Sequence, residues 1–261
     1  MTEQTIMVWD LESIPDLKAA SRMLSMPDAS ENDVRESLGE GFPKHPLHQI
    51  VCIGALVATR APEGWQVEAL GAPSIAQRTE PELIAAFVEK IAQLCPVLVG
   101  FNCHSFDLPV LRYRAMVNRI PAPGLHVRPY FHRFTSDAVD LCDVLGSFTP
   151  GSKAKLDEVA KILGLGGKPE GIDGSQVEDM VKAGRIDEVA LYCESDVLNT
   201  FRIWLIHELF RGAISRAELE WSEEQLRIFV RGRRFSNPHL IIGLGLDNEP
   251  HGGEGDGVVA F

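Results

Sequence analysis

The run Thr5-Ile6-Met7-Val8-Trp9 reads as a buried strand, and it ends in Asp10-Leu11-Glu12. Two residues apart in a strand, both carboxylates leave the same face. Any fold for this chain must therefore carry two like charges at the end of an apolar strand, either solvated or shared by a cation. Two further acids stand in distinctive settings. Asp107 closes Phe101-Asn102-Cys103-His104-Ser105-Phe106-Asp107, where a short strand turns into a helix. Asp196 follows Tyr192 by one helical turn, so the two share a face beside the stripe Ile186, Val189, Ala190, Cys193, Val197 and Phe201. Gathered in one place, four such acids need cations to neutralise them, and a carboxylate site for two divalent ions points to phosphoryl or phosphodiester chemistry. Taken singly, each motif also has a plain structural reading. Asp10 and Glu12 fit an acidic strand end, Asp107 fits an acid stabilised by a helix dipole, and Tyr192 fits a boundary residue.

The surrounding pattern sets the fold class. Residues 5–10, 49–58 and 64–70 read as three strands, the last two joined by a Pro- and Gly-bearing turn at 60–64, which makes an antiparallel meander. Residues 16–40 read as short helices. A helix starts at Thr79, where Thr79 and Glu82 have capping-box spacing and Leu83, Ile84, Phe87, Val88 and Ile91 follow at helical period. A short strand spans 97–101, a helix spans 106–118 and stops before Pro121, and 139–141 is a last short strand. Beyond residue 152 the pattern is helical. The class is α/β, with a mixed central sheet whose first three strands are antiparallel, flanked by helices. One domain is expected over 1–236, with a loosely ordered Gly-rich tail over 237–261.

Bulk properties narrow the partners. The net charge of −12 removes the global basic field of a non-specific nucleic-acid binder, so any grip on nucleic acid must be local and metal-mediated. Five cysteines, at 52, 95, 103, 142 and 193, include no C-x-x-C pair; they argue against a disulfide framework or structural zinc and for a reducing cytoplasm. No apolar run approaches the roughly 18 residues of a membrane span, and the N-terminus lacks the basic and apolar regions of a secretory signal. The smaller features are expected to be ordinary. His45 and His48 are loop histidines, His104 is solvated, Glu194 is exposed, and Cys103 and Cys193 are small buried thiols.

In order and spacing, Asp10-x-Glu12, then Phe101-Asn102-x-x-x-Phe106-Asp107, then Tyr192-x-x-x-Asp196 resemble the three motifs of the DEDD superfamily of 3′–5′ exonucleases. Tyr192, with Leu191 where the histidine subclass carries its base, resembles the tyrosine subclass. The likeness is nearest to stand-alone bacterial predicted exonucleases related to the proofreading domain of family B DNA polymerases. It covers roughly residues 5–210, and Lys155 to Gly164 and Tyr192 to Thr200 look typical of that group.

The resemblance implies an RNase H-like fold and a metal-dependent exonuclease that removes nucleoside 5′-monophosphates from single-stranded 3′ ends. DNA is favoured as substrate; a ribonuclease of the same fold and a non-catalytic nucleic-acid-binding module are the alternatives. It implies two Mg²⁺ or Mn²⁺ ions on Asp10, Glu12, Asp107 and Asp196, with Tyr192 orienting the attacking water. Substrate contacts are expected at Leu11, Asn102, Phe106 and Lys168. Lys153, Lys155 and the cluster Arg227, Arg231, Arg233 and Arg234 are further basic candidates, the cluster fitting equally the cationic end of a helix.

Overall fold

Strand β1 (Thr5–Pro15) is the spine of the molecule, and its alternation explains why. Ile6 and Val8 point into one apolar cluster, while Met7, Trp9 and Leu11 point into another on the opposite side of the sheet. A strand buried on both faces must lie at the centre of a sheet covered on both sides. In this computed structural model, which describes residues 4–39, 41, 43–149, 151–166, 174–233 and 238–246, it does. Antiparallel β2 (His48–Ala61) lies on one side of β1, followed outward by antiparallel β3 (Gly64–Gly71). On the other side lie parallel β4 (Val97–Gly100) and parallel β5 (Ala138–Asp140). The order is β3-β2-β1-β4-β5, the mixed sheet with an antiparallel first meander that the sequence predicts. Because β1, β4 and β5 run in parallel, their C-terminal ends gather at one edge. That edge is where ligands bind in sheets of this kind.

Short helices α1 (Leu17–Leu24) and α2 (Glu31–Leu38) follow β1. One face of the sheet carries α3 (Glu80–Leu94) and α4 (Asp107–Val117). Thr79 caps α3 as predicted: Glu82 accepts both its N–H (2.7 Å) and its hydroxyl (2.7 Å). Trp9 packs on Phe87 with ring centroids 5.1 Å apart, and each such buried side chain contributes roughly 1.5–3 kcal/mol. The turn out of β1 is fixed by a buried ion triad. Arg114 of α4 donates to Asp16 (2.6 Å), the residue capping α1, and through two nitrogens to Glu80 (2.7 and 2.6 Å). Glu80 also accepts the Ile50 N–H of β2 (2.8 Å).

The other face carries α6 (Leu156–Ile162), α7 (Val177–Lys182), α8 (Ile186–Phe210), α9 (Arg216–Arg231) and α10 (Pro238–Gly243), with the short α5 (Leu141–Leu145) leading out of β5. Helix α8 is the central one, packed against β1, β2, β4, α6, α7, α9 and α10. Every residue from Tyr192 to Leu205 is buried. A helix enclosed on all sides has no solvent face, and this corrects the expectation for Glu194. It is buried and lies 3.0 Å from His239 of α10. The stretch expected to be a loose tail from 237 contains α10, whose Leu240 joins the core; residues 247–261 lie outside the described residues. Among the described residues no helix is long and apolar enough to cross a membrane.

Candidate metal centre

Asp10 and Glu12 leave β1 on the face covered by α8, since they continue the alternation of Ile6 and Val8. In the β1–β2 register Asp10 stands opposite Gly54 and Glu12 opposite Cys52. Gly54 decides how near α8 comes. A Cβ there would lie 2.7 Å from Cys193 Sγ, 3.0 Å from Val197 Cγ2 and 3.4 Å from the Cys193 carbonyl oxygen. The missing side chain lets α8 settle directly on β2. Cys193 Sγ then sits 3.7 Å from Asp10 Oδ2, and Tyr192 and Asp196 arrive on either side of it in sequence.

Three carboxylates act on the Tyr192 phenol. Burial pushes its proton affinity well up, and the charges of Asp196, Glu12 and Asp10 follow in that order; Tyr192 also hydrogen-bonds Asp196. At neutral pH the group is a neutral phenol, fit to orient a water rather than to remove its proton. Cys193 is likewise held as a thiol, chiefly by its hydrogen bond with Cys52 and then by burial, with Asp10 and Glu12 adding to both. It lines the site without offering a thiolate.

Asp107 lies at the start of helix α4, on the opposite face of the sheet. It is buried and accepts the backbone N–H of Leu11 between the two acids of β1. Burial foremost, with the charge of Asp140 in support, raises its pKa to about 7. The turn before it is anchored by Asp140 at the end of β5. Asp140 accepts N–H groups from Asn102 (2.8 Å), His104 (2.9 Å) and Asp143 (3.2 Å). Asn102 has φ 66°, the left-handed region that asparagine tolerates. Gly100 makes the fold-back possible, for a Cβ there would lie 2.7 Å from Cys103 Cβ. Neither Gly54, Gly100 nor Asp140 stands out in the sequence. The one available signal for Asp140 was an acid at a strand end with a second acid three residues on, which reads as a helix cap.

The expected substrate contacts fall in different places. The Leu11 side chain is buried among the α3–α4 cluster, so only its backbone serves Asp107. Asn102 accepts from Lys153 Nζ (3.1 Å), which also reaches Ser105 Oγ (3.3 Å) and pairs with Asp143 (2.7 Å). Phe106 is half-buried and meets the edges of His48 (4.9 Å) and His45 (6.0 Å). His48 is a buried structural residue, bonded to Ser13 Oγ and the Pro43 carbonyl at 3.0 Å each. His104, expected to be solvated, instead tucks its ring under the turn with Nε2 3.2 Å from the Tyr130 carbonyl, because the turn folds back over it. Lys168 and Arg234 lie outside the described residues. Arg227 and Arg231 pair with Glu224 on their own helix, and Arg233 stacks over Phe229, as a cationic helix end does.

Asp10 and Glu12 offer carboxylate oxygens within 4.8 Å of each other and of Cys193 Sγ, and carboxylate oxygen suits hard divalent cations such as Mg²⁺ and Mn²⁺. Residues 40–241 match a protein-family model described as a predicted 3′–5′ exonuclease related to the exonuclease domain of PolB. The fold is similar to that of the family B DNA polymerase from the hyperthermophilic archaeon Pyrobaculum calidifontis, with a TM-score of 0.52 and 21% sequence identity. That match covers 79% of this chain and 24% of the polymerase, so the chain spans about a quarter of the polymerase's length. No curated protein matches the chain.

Proposed function

Because the chain belongs to the family of predicted 3′–5′ exonucleases related to the exonuclease domain of PolB, we propose that it removes nucleoside 5′-monophosphates from single-stranded DNA 3′ ends with two divalent cations. The observation that carries this reading is the grouping of Asp10 and Glu12 of β1 with Cys193 of α8, their ligand atoms within 4.8 Å of one another, beside the Tyr192 phenol that bonds Asp196, with Asp107 tied to the backbone between the two β1 acids. Asp10, Glu12 and Asp196 would hold one cation, and Asp10 with Asp107 the other. Bound there, the cations would lower the pKa of the attacking water and stabilise the leaving 3′ oxygen. Tyr192 holds the water in line by a hydrogen bond, its position set by burial and by Asp196. Asn102, steadied by Lys153, and the exposed part of Phe106 border the same edge and orient the terminal nucleotide.

Incubation with 5′-labelled single-stranded DNA and RNA of equal sequence tests the reading. A ladder of products shortened from the 3′ end is expected on DNA in Mg²⁺ or Mn²⁺ and none in EDTA. Intact substrates of both kinds in Mn²⁺ would overturn it, and a ladder on RNA alone would replace the substrate class.

The site also carries a pH signature. In the metal-free protein the Asp107 carboxyl holds its proton to about pH 7, against 3.8 ordinarily. The folded state then binds the proton more tightly than the unfolded chain, so the metal-free fold loses stability as pH rises through that window. A cation needs the ionised form, so Mn²⁺ affinity should fall up to about tenfold per pH unit below about 7. Calorimetry at pH 6 in buffers of different ionisation enthalpy should register proton release on binding, and Asp107→Asn should abolish most of it. Proton release unchanged in Asp107→Asn would remove Asp107 from the ligand set.

A further inference from the structure

Phe134 and Phe148 are exposed by 79% and 37%, and their rings touch, with centroids 5.0 Å apart and planes at 57°. Single exposed phenylalanines need no explanation, but two in contact outside the core expose apolar area that burial would otherwise recover. The chain holds this pair in place by specific means. Ser147 and Phe148 are consecutive non-glycine residues at φ 50° and 55°, a costly conformation, and the Phe148 N–H is bonded to the Asp143 carbonyl at 2.7 Å. Phe134 follows Arg133, whose Nε and Nη2 grip Asp143 at 2.6 and 2.8 Å.

Asp143 links this pair to the metal centre. Its side chain is fully buried, yet it holds two cations, Arg133 and Lys153, and the Arg133 side chain remains 45% exposed. Lys153 in turn reaches Asn102 and Ser105 in the turn that ends at Asp107. Through Asp143 and Lys153 the aromatic pair and Arg133 thus connect to the turn that ends at Asp107. Aromatic stacking with local cations is how sequence-tolerant single-strand grips are built. In a chain of net charge −12, local cations are the available partners for phosphate.

We propose that Phe134 and Phe148, with Arg133, form a stacking platform for the bases of a single-stranded nucleic acid upstream of its 3′ end. This rests on the exonuclease reading and adds to it a preference for strands long enough to reach the platform, with little preference for base identity, because every base has a stacking face.

The test compares kcat/KM on an oligonucleotide of about twelve nucleotides with that on a dinucleotide, taken as a ratio. In the double variant Phe134→Ala/Phe148→Ala the ratio should fall by roughly tenfold or more, through KM on the longer strand. Phe134→Trp, which keeps a stacking face, should hold the ratio, and Phe210→Ala, at the far end of α8, should not change it. A ratio unchanged in the double alanine variant, with an unchanged melting temperature, overturns the platform and leaves the exonuclease reading standing. If wild-type protein degrades nothing, the exonuclease reading falls instead. Fluorescence anisotropy of the labelled oligonucleotide in Ca²⁺ then tests the platform alone: weaker binding by the double variant supports it, and equal binding overturns it.

Discussion

Asp196→Asn should lower kcat by at least about 10³-fold while the metal-free protein melts no lower than wild type. The expected loss is large because a cation at such a site supplies several kcal/mol of charge stabilisation in the transition state, and each 1.4 kcal/mol is tenfold in rate. Asp196 is buried, it leads the charges acting on the Tyr192 phenol, and it bonds that phenol directly. Asparagine keeps the volume and an oxygen for Tyr192 but removes one of the three negative charges acting on it. Without cations those charges repel, so their reduction offsets the altered hydrogen bond. A purely structural aspartate would give the opposite pair of results, a lower melting temperature with activity nearly kept. Paired measurements of thermal unfolding in EDTA and single-turnover rates in Mg²⁺ distinguish the two.

Gly54→Ala should reduce activity by about 10²-fold with a stability cost of about 1–3 kcal/mol, although Gly54 bears no functional group. The new methyl would lie 2.7 Å from Cys193 Sγ and 3.0 Å from Val197 Cγ2, so α8 must move off β2. Tyr192 and Asp196 ride on α8, whereas Asp10 and Glu12 stay with β1. A displacement near 1 Å at the reacting groups costs about 10²-fold in comparable sites. Adding Cys193→Ala removes the closest clash and should restore part of both losses. A double-mutant cycle on kcat and on denaturant midpoints measures that coupling. Additive losses would mean that α8 adjusts without help from Cys193, and the close approach at Gly54 would lose its assigned role.

The parts of the fold that were legible in the sequence were those with local chemistry. Thr79 and Glu82 announced the start of α3, Pro62 and Gly64 announced the β2–β3 hairpin, and the apolar run from Ile6 to Trp9 announced a buried strand. The family was legible because the motifs keep their order along the chain; Asp107, Tyr192 and Asp196 lie within the matched residues 40–241, and Asp10 and Glu12 precede them. What stayed hidden depends on contacts between distant segments. Glu194 looked like a surface residue because one helical stripe was visible, whereas α8 is enclosed by neighbours that no stripe records. His104 looked solvated because nothing nearby in sequence reveals Tyr130 above it. Gly54 is one glycine among 23, and its meaning exists only once α8 lies across it. Asp140 acts through backbone N–H groups 36 and 38 residues away, a reach that no local pattern encodes.

The meeting of Asp10 with α8 spans 183 residues of chain. Contacts of that separation carry a high loop-closure cost and tend to form late in folding. Asp10 and Glu12 therefore meet α8, which carries Asp196, only once that long-range docking has occurred, and docking works against the repulsion of their charges. A cation that binds the assembled cluster recognises the native state alone, and at a hundredfold excess over its dissociation constant it adds about 2.7 kcal/mol to that state. If cations bind as proposed, their binding is a checkpoint on completion: a chain whose α8 has not yet docked would hold no metal and would leave nucleic acid uncut.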